Sequence, residues 1–273
     1  MALPRTVEDI RRLVGVAKSQ GITLIPRAAG TSLAGQVVGN GIVVDCSAFF
    51  TRILALNVEE RWVRVEPGVI RDDLNHFLRP YGLMFGPETS TANRATIGGM
   101  MGNNSCGLHS IVWGTTRDHI LEADVVLSDG TYTSFGATET ARERTGQGLP
   151  SRILNGINDL LSDPRNQQLI RNRFPRPSVH RRNSGYALDS LLQLQPYDHE
   201  GAPFNLCKLL AGSEGTLAFV TAVRLNLIPL PPAHQAVVCI HCNSVVEAMH
   251  ANITALQHRP MASELVDKLI MDF

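Results

Sequence analysis

Residues 26–35 read PRAAGTSLAG and directly follow a short apolar run, residues 22–25, that predicts a buried strand. Small residues let backbone N–H groups converge on an anion, so such a turn after a strand is typical of a phosphate site. The hydroxyls of Thr31 and Ser32 could add donors. Gln36 follows Gly35 where a P-loop has lysine, and the turn contains no G-x-G-x-x-G. We interpret it as a phosphate loop, with an ordinary turn as the alternative.

Two further glycine-rich stretches follow along the chain. Residues 96–107 read TIGGMMGNNSCG, in which four glycines stand beside amide and hydroxyl side chains. This composition indicates a backbone that approaches a flat polar ligand closely, with a structural loop as the alternative. Residues 212–217 read GSEGTL and lie between two apolar runs, which by itself favours a hairpin turn.

Hydrophobic periodicity and turn signals predict alternating helices and strands around these stretches. The predicted helices run from the N-cap Thr6 to Gly21, and over residues 71–78, 151–174 and 245–256. The predicted strands cover residues 22–25, 41–45, 53–58, 62–65, 121–127, 131–135, 206–210, 216–227 and 236–241. Residues 87–114 have little periodicity and are predicted to be irregular, which inside a compact domain favours a functional role.

The composition excludes several classes of protein. Of 273 residues, 25 are Lys or Arg and 25 are Asp or Glu, so the balanced charge argues against non-specific nucleic-acid binding. An apolar fraction of 44% argues against a disordered chain. The most apolar stretches contain polar residues and proline, which argues against a membrane span. Five cysteines without tight spacing do not form a disulfide framework, so we expect a reducing, cytoplasmic location.

Taken together, the three glycine-rich stretches resemble the FAD-linked oxidases of the vanillyl-alcohol oxidase and para-cresol methylhydroxylase fold. The chain is most similar to bacterial D-2-hydroxyacid dehydrogenases, which include glycolate oxidase subunits and D-lactate and D-2-hydroxyglutarate dehydrogenases. The resemblance covers about residues 4–232. It is carried by residues 26–35, the sequence VEPGV at 65–69, Pro87, Glu88, Ser90, residues 96–107, Tyr186 and residues 212–217.

This resemblance implies an α+β fold with a two-lobed FAD-binding domain of the para-cresol methylhydroxylase type. The domain would span residues 1–232, with lobes at about 1–85 and 86–232 and with its N-terminal strand missing. Residues 233–273 would begin a truncated substrate-binding cap domain. The resemblance therefore predicts that the chain is a fragment of a longer enzyme.

The resemblance also implies which residues bind FAD. Residues 26–32 would hold the pyrophosphate, and Pro87, Glu88 and Ser90 would lie beside the isoalloxazine and ribityl chain. Residues 96–107 would run along the cofactor, and residues 214–215 would lie near its adenine or ribityl end. Val125 would lie on a strand that passes close to the adenine. The implied residues are Pro26, Arg27, Ala28, Ala29, Gly30, Thr31, Ser32, Pro87, Glu88, Ser90, Thr96, Ile97, Gly98, Gly99, Asn103, Asn104, Ser105, Gly107, Val125, Glu214 and Gly215.

We expect non-covalent FAD, because Ala28 and Ala29 stand where members with covalent flavin often carry histidine. A bond to Cys106 is the alternative. His109 and His119 flank the second stretch and could accept a proton near the flavin, although a supporting or surface role is the alternative. No metal site is predicted, because Cys239 and Cys242 lack a second pair of ligands.

The function implied is oxidation of a D-2-hydroxy acid, of the lactate, glycolate or 2-hydroxyglutarate type, to the 2-oxo acid. Electrons would pass to an iron–sulfur or quinone acceptor, and peripheral membrane association stays open. The base and substrate-binding groups would lie in the cap, so the fragment by itself would be inactive. Another flavoenzyme of the same fold and a non-catalytic FAD-binding module are the alternatives.

Overall fold

The computed structural model describes residues 1–137, 146–176, 178–179, 181–182 and 185–272. Its strands are β1 Thr23–Arg27, β2 Gly41–Asp45, β3 Ile53–Asn57, β4 Trp62–Val65, β5 Leu83–Met84, β6 Ile120–Val126, β7 Tyr132–Gly136, β8 Phe219–Asn226 and β9 Ile228–Pro229. Its helices are α1 Val7–Gln20, α2 Arg71–Leu78, α3 Ile97–Asn103, α4 Ser110–Trp113, α5 Thr116–His119, α6 Leu149–Ser162, α7 Pro164–Arg173, α8 Leu188–Leu191, α9 Cys207–Leu210, α10 Val245–Leu256 and α11 Lys268–Met271. A 3-10 turn, Arg79–Tyr81, follows α2.

The first helix and the first two strands form a small layered unit. Thr6 Oγ1 accepts a hydrogen bond from Asp9 N (3.2 Å), and Asp9 Oδ2 accepts one from Thr6 N (3.0 Å), which makes a capping box. The helix ends at Gly21, whose φ of 64° favours glycine. Ile10 of α1 is buried in a cluster with Phe50, beside the parallel pair β1–β2. The predicted first helix, from Thr6 to Gly21, is confirmed.

A five-stranded antiparallel sheet, in the order β3-β4-β8-β6-β7, forms the centre of the structure. One face packs into the main core through fully buried side chains such as Val63, Val125 and Val223. The opposite face carries charged side chains, where Arg64 bonds to Glu122 (3.1 Å). The sheet takes β3 and β4 from one predicted lobe and β6–β8 from the other. The division into lobes stays a prediction.

Residues 87–114 are more regular than predicted, because they contain α3 and α4. Two adjacent glycines, Gly98 and Gly99, lower the helix propensity of α3 by roughly 1 kcal/mol each relative to alanine. Burial of Ile97, Met100 and Met101, none more than 1% exposed, outweighs that cost. Tertiary packing therefore overrides the local signal.

Three other elements differ from the prediction. The single helix over 151–174 is two helices, because Asp163 accepts from Arg165 N (2.8 Å) and caps α7, with Pro164 at its first position. A strand is expected at 206–210, but the structure has the helical turn α9 there. Just before it, Asn205 Oδ1 accepts a hydrogen bond from Cys207 N (2.9 Å). No strand forms at 236–241, where Val237 and Val238 are 88% and 81% exposed. Within the described ranges no helix is both long and apolar enough to cross a bilayer.

Candidate cofactor site

A cleft of about 530 Å³ runs between the end of β1, the start of α3 and the loop after α9. These three wall segments come from distant parts of the chain and correspond to the three glycine-rich stretches. Fifteen of the implied FAD residues line it: Pro26, Arg27, Ala28, Ala29, Gly30, Thr31, Ser32, Ser90, Thr96, Gly98, Gly99, Asn103, Ser105, Glu214 and Gly215. The fold thus brings the three stretches to one place.

The first wall is the loop that continues from β1. Arg27 Nη1 donates to Asp45 Oδ2 (2.7 Å), which ties the end of β1 to the end of β2. Asp45 Oδ1 also accepts from the backbone N (2.8 Å) and hydroxyl (2.6 Å) of Ser47. Gly30 has a φ of 69°, which turns the chain sharply after the strand. The carboxylate of Asp45 therefore fixes where the loop leaves the sheet.

The second wall begins at Thr96, the residue before α3. Thr96 is 3% exposed, and its Oγ1 has no hydrogen-bond partner among the described residues. A Cβ at Gly99 would lie 2.9 Å from Ala28 Cβ, and one at Gly98 would lie 2.5 Å from Pro67 Cβ. The second wall therefore touches the first wall at a distance that only glycine allows.

The third wall is the loop 212–215, which is joined to the end of α3. Gly212 N donates to Met101 O (2.9 Å), and Glu214 N donates to Gly102 O (2.9 Å). Glu214 has a positive φ of 53°, and its Oε1 accepts from Gln36 Nε2 (3.3 Å). The second and third walls are therefore connected through their backbones.

A buried arginine supports the third wall from behind. Arg117, 6% exposed, donates from Nε to Lys208 O (2.9 Å) and from Nη2 to Ala211 O (2.7 Å). Its backbone N donates to Asn104 Oδ1 (2.8 Å), and Lys208 Nζ donates to Arg117 O (2.9 Å). Burial lowers the pKa of both Arg117 and Lys208, and Asp118 partly offsets this.

The chemistry of the walls fits a dinucleotide with a flat ring system. Two buried oxygens, Thr96 Oγ1 and Gln36 Oε1, line the cleft and have no partner within the part of the chain that the structure describes. Such atoms are costly unless a ligand supplies hydrogen bonds. Apolar side chains complete the cleft: Leu210, Ala218, Phe219 and Val220. Sequence reasoning missed Gln36 and these apolar residues, because nothing local distinguishes them from a loop and a core strand.

Six implied residues do not line the cleft: Pro87, Glu88, Ile97, Asn104, Gly107 and Val125. Ile97, Asn104 and Val125 are fully buried. Val125 packs inside the central sheet, because its neighbours on both sides place it on the core face. Asn104 has a supporting position, since its side chain accepts from Arg117.

The two histidines also lie away from the cleft. His109 Nδ1 is 2.7 Å from Glu88 Oε1, and its ring stacks on Trp113 at 4.5 Å between centroids. His119 is 6% exposed, and its Nε2 lies 2.7 Å from Trp113 O. Cys106 Sγ accepts from Arg181 Nε (3.0 Å) and does not line the cleft. A catalytic role for either histidine stays a prediction.

Comparison with known proteins gives a family and several relatives. A family model described as "FAD binding domain" matches residues 1–136. A D-2-hydroxyglutarate dehydrogenase from Pseudomonas putida is 36% identical over 272 residues, which is 98% of this chain and 26% of that protein. One from Escherichia coli is 36% identical over 279 residues, which is 100% of this chain and 26% of that protein. The chain thus spans about a quarter of the length of these relatives.

The fold also matches solved structures. Superposition on 6-hydroxy-D-nicotine oxidase from Arthrobacter nicotinovorans gives a TM-score of 0.55 at 17% identity. It covers 84% of this chain and 36% of that one. At this identity the match concerns the fold, which is the mixed helix and sheet arrangement expected from the sequence.

Proposed function

We propose that the chain is the cofactor-holding part of a flavin-dependent dehydrogenase, which the match of residues 1–136 to the FAD binding domain model supports. Its substrate would be a D-2-hydroxy acid, which is oxidised to the 2-oxo acid. The relatives that are 36% identical over nearly the whole chain are named D-2-hydroxyglutarate dehydrogenases, which supports this substrate class. Because the chain spans 26% of their length, the activity of the whole protein is part of the proposal.

The observation that carries the proposal is the convergence of three separate glycine-rich walls on one cleft, which contains buried oxygens without a partner among the described residues. When bound, FAD would supply the group that accepts two electrons from the carbon bearing the hydroxyl. The chain's own residues would hold it. Backbone N–H groups and the hydroxyls of Thr31 and Ser32 would bind the phosphates, and Thr96 Oγ1 would find a polar partner.

The link to the cofactor is proposed to be non-covalent. Ala28 and Ala29 of the first wall carry no group that could bond to a flavin, and Cys106 Sγ faces Arg181. The electron acceptor is proposed to be an iron–sulfur centre or a quinone, by resemblance to the family. A location in the cytoplasm, with peripheral membrane association left open, belongs to the same proposal.

A visible absorption spectrum of the purified chain tests the cofactor assignment. After loading with FAD and desalting, we expect flavin bands that stay with the folded protein and leave it on denaturation. Gly99→Ala should lose the bands, because its new Cβ would lie 2.9 Å from Ala28 Cβ. Gly156→Ala is the matched control, since no atom of the described residues lies within 4 Å of a Cβ there. Equal flavin retention by both variants would reject the site.

A second candidate is another oxidase of the same fold, which the match to 6-hydroxy-D-nicotine oxidase supports at the level of fold alone. Turnover distinguishes the two candidates. A protein that contains this chain and reduces an artificial acceptor with D-2-hydroxy acids, but not with amines or sugars, would support the first.

A further inference from the structure

The segment 87–91 also lines the cofactor cleft, to which it contributes Thr89, Ser90 and Thr91. Residues 85–89 form neither helix nor strand, so the position of this segment depends on its contacts with neighbouring elements. Helix α2 holds it on one side, because Arg71 Nε donates to Pro87 O (3.2 Å). Three hydroxyl groups of the cleft are therefore carried by a stretch without regular structure.

Glu88 connects this segment to the stretch that follows α3. Its Oε1 accepts a hydrogen bond from His109 N (2.9 Å) and lies 2.7 Å from His109 Nδ1. Because a carboxylate only accepts hydrogen bonds, Nδ1 is the donor of the second bond. One oxygen of Glu88 thus receives two N–H groups of the same residue, which fixes the direction of both side chains.

A glycine allows the two stretches to approach each other at this point. A Cβ at Gly107 would lie 2.9 Å from Glu88 O and closer still to Glu88 Cγ. A residue with a side chain would therefore push the segment 87–91 away. The contact between Glu88 and His109 thus depends on a close approach of the backbone as well as on the two side chains.

The stretch that carries the histidine is itself fixed. The His109 ring stacks on Trp113 with 4.5 Å between centroids, and Trp113 N donates to His109 O (2.9 Å). Ser105, which lines the cleft, accepts at its carbonyl from Thr116 N (2.9 Å) and Thr116 Oγ1 (2.8 Å). Residues 105–113 are therefore a support against which the less regular segment can be held.

We propose that His109 is a positioning residue for the cofactor, because through Glu88 it holds the segment 87–91 at the wall of the cleft. The inference rests on the proposed function, since the ligand that the segment would contact is the cofactor named there. Neither His109 nor Glu88 is among the described residues that line the cleft, so both act through the hydroxyl-bearing residues that follow Glu88. This role in cofactor binding is separate from proton transfer.

Two substitutions of His109 separate the hydrogen bond from the ring. His109→Phe keeps a ring against Trp113 but removes the Nδ1 donor, so FAD should bind about tenfold more weakly. His109→Asn keeps an N–H donor close to the place of Nδ1 without the ring, so the affinity for FAD should stay within about threefold of the unsubstituted chain. His199→Phe, at an exposed histidine, is the control and should leave the affinity unchanged. A titration with FAD measures each affinity.

Glu88→Met tests whether the two side chains act through one contact. It keeps the Cγ that packs against Gly107 but removes the acceptor, so it should weaken FAD binding about as much as His109→Phe. The double variant should bind FAD no more weakly than either single variant, because each change removes the same hydrogen bond.

Three results would overturn the proposal: unchanged affinity in folded His109→Phe, an equal loss in His109→Asn, or losses that multiply in the double variant. Circular dichroism checks that each variant is folded. If His109→Phe does not fold, Glu88→Met and His109→Asn still give the comparison, and the proposal fails unless the first is weakened and the second is not.

Hydrogen exchange in the FAD-free chain measures the same contact without the cofactor. The amides of residues 89–95 should exchange faster in His109→Phe than in the unsubstituted chain or in His109→Asn, and those of β6 and β7 should not change. If the unsubstituted chain retains no FAD but shows this pattern, the cofactor assignment fails and the hold of His109 on the segment stands. If the unsubstituted chain retains FAD and His109→Phe binds it equally well, the cofactor assignment stands and this proposal fails.

Discussion

Arg117 Nη2 lies 2.7 Å from the carbonyl oxygen of Ala211, the residue that leads into the third wall of the cofactor cleft. The same guanidinium bonds to Lys208 O through Nε (2.9 Å), so a single planar group holds the C-terminal end of α9. Carbonyl groups at a helix end attract a cation. The position of the loop 212–215 therefore depends on a side chain that does not line the cleft.

Arg117→Lys should weaken FAD binding by about tenfold, because lysine keeps the charge but cannot reach both carbonyls with one planar fork. The flavin absorption of the desalted chain and a titration with FAD measure this. Arg152→Lys, on the exposed side of α6, is the control. If Arg117→Lys is folded and binds FAD with unchanged affinity, the position of the loop 212–215 does not depend on the two hydrogen bonds of the Arg117 guanidinium.

Thr96→Val separates cofactor binding from stability. Its buried Oγ1 has no partner in the described structure, so removing it should leave the free energy of unfolding of the FAD-free chain unchanged or raise it by about 1 kcal/mol. The same change should weaken FAD binding, because the hydroxyl that would bond the cofactor is gone. Urea unfolding measures the free energy of unfolding, and a titration with FAD measures the affinity for the cofactor. A loss of stability with unchanged FAD affinity would show that Thr96 has a hidden structural partner.

Thr6→Ala should lower the free energy of unfolding by about 1 kcal/mol, because it removes the hydroxyl oxygen that accepts a hydrogen bond from Asp9 N. Thr254→Ala, inside the exposed helix α10, should cost less, since alanine favours a helix interior. Urea unfolding followed by circular dichroism makes the comparison. Equal losses in the two variants would contradict the capping role.

Burial raises the pKa of the Cys46 thiol from 9.0 to about 12, and Asp45 acts in the same direction. A group whose folded pKa is raised contributes stability below its unfolded pKa and loses that contribution as the pH rises through the folded value. Stability from Cys46 should therefore be complete at pH 8 and fall between pH 9 and about 12. The difference in unfolding free energy between the chain and Cys46→Ala should shrink over that range. A constant difference would reject the assignment.

Local sequence predicted the elements whose ends contain capping or turn residues. Thr6, Asp9 and Gly21 bound α1, and Asp129 with Gly130 marks the turn between β6 and β7, so these elements are where the sequence places them. Elements that depend on burial were not predictable in the same way. The glycine pair in α3 and the apolar run at 206–210 have the local character of a loop and of a strand, and only their surroundings make them helical.

The site residues also fall into those that local sequence predicts and those that depend on tertiary contacts. The glycine-rich stretches that line the cleft are visible in the sequence, because close backbone approach requires glycine. Val125 packs into the core and does not line the cleft, because a strand has two faces and the resemblance did not show which face it occupies. Arg117 was missed because its partners, the carbonyls of Lys208 and Ala211, lie more than ninety residues away along the chain.

The backbone hydrogen bonds that join Gly212 to Met101 and Glu214 to Gly102 have a kinetic consequence. They join the second and third walls into one unit, although about 110 residues of chain separate the two segments. The first wall is the loop that starts at Arg27, and the ion pair between Arg27 and Asp45 holds the start of this loop against β2. The loop is held at its start by this ion pair and farther along by the hydrogen bond from Gln36 to Glu214, so we expect variants that remove either contact to release the cofactor faster.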